Sequence, residues 1–157
     1  MNAPSALALC CALTCAMAAF AQAPKKPEAP PREAPADAPP QEMDLKPAMG
    51  AASAWLEIVD AGRFGESWDA SADLFREQVP KLQWERQLQD ARGALGALGS
   101  RRLASATYTL APPNAPPGEY VIIQYHSRYE NRPLTTEIVT PMREKDGTWR
   151  VSGYFIR

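Results

Sequence analysis

Beyond its first fifteen residues the sequence has no cysteine, and in its 157 residues it has one histidine, His126. Cys10, Cys11 and Cys15 lie close together near the start. So few soft ligands give no basis for a His- or Cys-rich zinc site. The rest of the chain can hold neither a disulfide framework nor a cysteine nucleophile. An excess of one charge is missing too, because 17 Lys and Arg face 18 Asp and Glu. That balance lacks the basic footprint that nucleic acid demands. Gly62, Gly65, Gly93, Gly96 and Gly99 have none of the spacings that cradle a phosphate. No cofactor, metal or nucleic-acid partner is expected, and no catalytic residue stands out. Proline is the abundant residue, at 16, and its distribution divides the chain.

Residues 3–21 carry no charge and end in Ala19-Phe20-Ala21, the small-x-small pattern cut by signal peptidase, just before Gln22. A membrane anchor is the other reading of such a run. Weakly apolar alanines, no close cluster of positive charge and the cleavage pattern favour a signal peptide at 1–21. The leader lacks Lys and Arg, which is unusual for a signal. Leu9, Cys10 and Thr14 precede the cysteines where lipidation needs a small residue, so a lipid anchor is not expected. A periplasmic or secreted protein with no stable membrane span after cleavage is the expectation. Residues 22–47 then hold eight prolines in 26 positions. Proline fixes φ and donates no backbone hydrogen bond, which predicts an extended, disordered linker. A semi-rigid spacer is the simpler role for it, and a ligand for a proline-recognition domain the alternative.

The folded domain is expected at 48–157. Ala52, Trp55, Leu56 and Val59 fall at helical spacing, with Gly62 as a stop, which predicts a helix at 48–61. Trp68, Ala72 and Phe75 predict a second at 64–77. Pro80 opens a third, with Trp84, Leu88, Ala91 and Leu95 as its apolar stripe. From residue 101 the period changes, and strands are expected at 101–110, 119–130, 134–144 and 148–156. Asp146-Gly147 signals one hairpin turn and Asn131-Arg132 another. Those two turns together place Val121, Ile123, Tyr125, Ile138, Met142, Trp149, Val151 and Phe155 on one sheet face. The expectation is an α+β fold: three N-terminal helices packed on one face of a four-stranded antiparallel sheet.

Several segments carry a resemblance. They are 55–62 (WLEIVDAG), Ser67-Trp68-Asp69, Trp84 with Arg92, Ser100-Arg101, 118–120 (GEY), 129–131 (YEN), Thr136-Glu137 and 146–157 (DGTWRVSGYFIR). Together they resemble domain-of-unknown-function family 4019, an exported bacterial family, over nearly the whole of 50–157. That family has no established activity to imply. The order of elements also resembles the nuclear transport factor 2-like, or ketosteroid-isomerase-like, cone. That likeness implies a small-molecule site between helices and sheet, worked by a carboxylate base and an acid donor.

On the expected register the inner face offers Tyr125, Tyr129, Thr140 and Trp149 as a pocket lining, with no carboxylate at mid-strand. His126 falls outside, opposite Glu137, as a surface pair. Arg101 and Arg102 alternate faces. The outer face gathers Ile122, Val139, Tyr154 and Ile156 into a mixed patch that suits a homodimer or an envelope protein partner. Two functional readings follow: a non-catalytic binding or interaction module, and a ketosteroid-isomerase-like enzyme or ligand carrier.

Overall fold

A computed structural model describes residues 43–110 and 112–157. The expected signal peptide and residues 22–42 of the expected spacer lie outside the described residues. Four helices come first, α1 (Lys46–Asp60), α2 (Phe64–Asp69), α3 (Asp73–Gln78) and α4 (Lys81–Leu95). Four strands follow, β1 (Leu98–Thr109), β2 (Tyr120–Tyr129), β3 (Thr135–Arg143) and β4 (Trp149–Ile156). The sheet order is β1-β2-β3-β4, and each neighbouring pair is antiparallel. The fold is α+β with four helices rather than the expected three.

Helix α1 starts two residues before the expected position, and the last proline of the expected spacer sits in its first turn. That position tolerates proline, whose missing N–H would have had no helical partner there. At the other end Gly62, with φ +72°, donates to Val59 O, and Arg63 donates to Ile58 O. This pair of bonds closes the helix, and the positive φ suits a residue without a Cβ.

The expected second helix is broken at Ser71-Ala72. Ala72 is extended there, and its N–H donates to Val151 O of β4 at 2.8 Å. That bond ties the break to the sheet. Side chains hold the break from within. Trp55 Nε1 donates to Ser67 O at 2.8 Å and to Ser71 Oγ at 3.1 Å, and Trp84 Nε1 donates to Ser67 Oγ at 3.0 Å. Both serines are fully buried, so each hydroxyl needs these partners. Two tryptophans thereby lock α1, α2 and α4 together. Their rings also meet Tyr154 of β4 edge-on, at 5.3 Å from Trp55 and 6.4 Å from Trp84.

The register differs from expectation by one residue between β2 and β3. Tyr129 and Arg132 exchange backbone hydrogen bonds, so the turn residues are Glu130 and Asn131 rather than Asn131 and Arg132. The ladder beyond the turn pairs Ser127 with Thr135, Tyr125 with Glu137 and Ile123 with Val139. From Tyr129 to Ser127 is two residues and from Arg132 to Thr135 is three, so β3 carries one extra residue after the turn. Because side chains alternate, this odd shift reverses the faces of β3. Between β3 and β4, Ile138–Phe155 and Thr140–Gly153 pair as expected, and the register then shifts at Thr140/Pro141. Pro141 has no N–H for a regular ladder, and a bulge accommodates it.

The consequence reassigns the sheet. Glu137, Val139, Tyr154 and Ile156 face the helices, while Ile138, Met142 and Phe155 do not. Val139 is fully buried, Tyr154 is 8% exposed and Phe155 is 65% exposed. The core joins Val121, Ile123, Val139, Val151 and Tyr154 to Trp55, Leu56, Val59, Phe75, Trp84 and Leu88. Helix α1 lies against β2, β3 and β4, while α3 meets β4 and α2 bridges α1 and α4. The register has a direct test: Val139→Asp places an unpaired charge in the core and prevents folding. Ile138→Asp, one residue away, costs about 1 kcal/mol or less, and chemical denaturation of the two variants checks the difference. Equal loss from both would contradict the pairing.

Candidate functional site

A carboxylate side chain with no exposure must be paired and hydrogen-bonded to be tolerated. Glu137, in the middle of β3, is such a group. Strand β1 supplies its main partner, because the pairing of Arg101 with Ser127 brings Arg101 beside it. Arg101 grips the carboxylate with two donors, Nε to Oε2 at 2.6 Å and Nη2 to Oε1 at 3.0 Å. Such a fork is the strongest common form of charge-assisted hydrogen bond. Ser127 Oγ donates to Oε2. Tyr129 OH donates to Oε1 at 2.8 Å, and Tyr154 OH donates to the same oxygen. Arg92 Nη1 approaches Oε1 at 3.4 Å from α4.

Asp60, at the end of α1, closes the network from the other side. It accepts from Arg101 Nη1 at 2.6 Å and from Arg92 Nη2. The Arg92 guanidinium also lies 4.9 Å from the centre of the Tyr129 ring. Two arginines and two carboxylates therefore balance, and they link α1, α4, β1 and β3. Among the described residues no buried side-chain nitrogen or oxygen lacks a partner.

The electrostatics fix which forms are present. Burial alone would push the Glu137 carboxyl up. Hydrogen bonds from Arg101, Ser127 and Tyr154, with the charge of Arg101, outweigh burial and hold it at about 2. Burial and the Glu137 charge push the Tyr129 phenol up to about 12. The same two causes, with Tyr129 added, push Tyr154 up as well. Burial would lower Arg101, but Asp60 and Glu137 raise it above its ordinary value. A carboxylate held this low is a weak proton acceptor, and phenols committed to it are poor acids. The cluster's chemistry is that of a structural anchor.

The expected pocket lining is not assembled. Tyr129 is buried and bonded to Glu137, and Tyr125 and Trp149 are partly buried against the core. Thr140 stands on the outer face, where its carbonyl accepts from Ser152 Oγ at 2.8 Å. The expected interaction patch is divided in the same way. Ile122 lies outside, whereas Val139, Tyr154 and Ile156 belong to the core side, for the register reason given above. His126 and Glu137 do not pair either. His126 is exposed opposite Thr136, and Glu137 is buried opposite Tyr125. Arg101 and Arg102 do take opposite faces, Arg101 inward to Glu137 and Arg102 outward.

Sequence reasoning did not foresee the Asp60–Arg92–Arg101–Glu137 network. All four residues nonetheless lie within the segments that carry the family resemblance, as do Tyr129 and Tyr154. Charged residues recurring in those segments, with Asp60 at the end of the largely apolar 55–62, were the available signal.

The outer face is built differently. At one end Ile122, Ile138 and Phe155, with loop residues 112–116, line a groove of about 400 Å³. At the other end Arg102, His126, Arg128 and Arg157 surround an open hollow of about 670 Å³. Among the described residues no three His, Cys, Asp or Glu are grouped to hold a metal.

Residues 51–154 match the family model described as protein of unknown function (DUF4019). No curated protein matches the sequence. The chain belongs to the DUF4019 family.

The anchor's contribution has a defined pH dependence. The folded-state Glu137 value lies below the ordinary 4.5, so its stabilisation is present above about 4.5 and is lost as pH falls toward about 2. Glu137→Gln leaves the two arginines with one carboxylate and costs about 3 to 5 kcal/mol at neutral pH. In urea unfolding, the gap between variant and parent narrows as the solution is acidified through that window. A gap that stays constant would assign the stability elsewhere.

Proposed function

We propose that this DUF4019 protein is an exported, non-catalytic binding module of the cell envelope. The outer face of the sheet is its binding surface, and the proline-rich segment is the spacer that presents it. The observation that supports this reading is the contrast between the two faces. Inside, Trp55, Phe75, Trp84 and Tyr154 fill the space against the sheet, and the one carboxylate at mid-strand is saturated with donors. Outside, an apolar groove lined in part by the exposed Phe155 and a basic hollow lie on one continuous antiparallel face. Exposed apolar surface rimmed by polar groups suits recognition.

A ketosteroid-isomerase-like reaction would need a carboxyl poised near the working pH beside room for a substrate. Glu137, held at about 2 among packed side chains, does not suit that role. Export is supported by the uncharged run at 3–21 and its Ala-Phe-Ala ending.

Two measurements test the proposal. Intact mass of the protein from the envelope fraction is expected to begin at Gln22, and retention of residues 1–21 would contradict export with cleavage. A photo-crosslinking side chain at position 155 in living cells is expected to give discrete adducts. The same group at position 57, exposed on α1, is expected to give none. Adducts from position 57 alone would place binding on the helices.

A further inference from the structure

Most arginines in the described residues are held by carboxylates, among them Arg63, Arg76, Arg143 and Arg150 on the surface. Arg102, Arg128 and Arg157 have no such partner among the described residues, and all three border the same hollow on the outer face. Their placement follows from the ladder. Arg102 on β1 is the direct neighbour of His126 on β2, and His126 is the neighbour of Thr136 on β3. Thr136 and Arg157 exchange both backbone hydrogen bonds, at 2.7 and 2.9 Å. These four residues form a single row across the sheet. Arg128 lies two residues along β2 from His126, on the same face and opposite Ser100.

Neighbouring cations on adjacent strands repel one another. No Asp or Glu side chain lines the hollow to relieve that repulsion. Two exposed apolar side chains flank the row. Leu134, 83% exposed, precedes β3 on one side, and Phe155 lies two residues before Arg157 on the other. With strands about 4.8 Å apart, the row is about 14 Å wide. Cations spread over that width can meet several phosphate groups at once, which is what an array of headgroups offers.

We infer that this end of the outer face docks on an anionic phospholipid bilayer. Arg102, Arg128 and Arg157 meet headgroup phosphates, joined by a ring N–H of His126. Leu134 and Phe155 enter the interfacial layer beside them. The planar guanidinium fork matches phosphate oxygens in pairs. Each cation close to an anionic leaflet strengthens binding about fivefold. The inference rests on the outer face being the binding face, as proposed above, and names the partner of its basic end.

Cosedimentation of the full chain with vesicles tests it. Binding is expected to phosphatidylcholine vesicles containing phosphatidylglycerol and not to pure phosphatidylcholine, and to weaken as salt is raised. Arg102→Glu combined with Arg128→Glu cuts the partition about tenfold or more. Leu134→Ser weakens it without any change of charge. Arg86→Glu, at an exposed and unpaired arginine of α4, leaves it unchanged. These positions are all exposed, and thermal melts show whether each variant keeps its fold.

Equal binding to both vesicle types would overturn the inference, as would equal loss from the Arg86 variant. Saturable binding of inorganic phosphate at Arg102 and Arg128, with no vesicle binding, would replace the bilayer by a soluble phosphate ester. If vesicles fail while position 155 still crosslinks in cells, the bilayer falls and the outer-face reading stands.

Discussion

The buried carboxylate of Glu137 is the group to which the rest of the domain is fitted. An ion of this kind, placed at mid-strand beside α1 and α4, is tolerated only if every lone pair is met. Arg101 must reach it from β1, and Tyr129 and Tyr154 must deliver their hydroxyls from either side. Arg101 and Arg92 then carry an excess of charge, which Asp60 removes from the end of α1. Register, strand order and the position of α1 are therefore coupled through one side chain. A one-residue slip of β3 would exchange Glu137 for a neighbour and leave the two arginines with Asp60 as their one carboxylate. Hydrophobic packing sets the layers, and the ion network sets the alignment within them.

The helices and strands were legible because their periods are strong. The 4-3-4 stripe of Trp84, Leu88, Ala91 and Leu95 becomes the buried side of α4 apart from Ala91. The chain turns at Asp146-Gly147, with the glycine at φ +82°, but through a three-residue loop, since Glu144 N–H donates to Thr148 O and Arg143 rather than Glu144 pairs with Trp149. The break at Ser71 was not legible, because the apolar spacing of Trp68, Ala72 and Phe75 runs straight through it. What interrupts that helix is tertiary: Ala72 bonds Val151, and Ser71 bonds an indole.

The sheet register was not legible for a subtler reason. In 134–144 both alternating sets contain apolar residues, Ile138 and Met142 in one, Val139 and Pro141 in the other. Apolar alternation thus fits either face, and one extra residue on the β3 side, three positions from Arg132 to Thr135 against two from Tyr129 to Ser127, decides between them. A regular two-residue hairpin at either position puts Ile138 inside and Glu137 outside, and every expected site residue on β3 and the end of β4 follows from a ladder without that extra residue. A charged residue is normally read as solvent-facing. Glu137 departs from that habit because Arg101, Ser127, Tyr129 and Tyr154 all donate to it.

Once the inner face is given over to this anchor and to the tryptophan–serine contacts, recognition has the outer face left to it. On the proposed function the two sides of one sheet divide the work, one specifying the fold and the other meeting a partner. The claim on which this division depends is that Glu137 is a permanently ionised structural group. An NMR titration of its side-chain carboxyl carbon tests that claim directly. The account predicts that the carbon shows no transition between pH 8 and 4 and begins to titrate only toward about 2. A midpoint near neutrality would contradict it, since the carboxyl would then be available to take a proton and the inner face would be the place to look for chemistry.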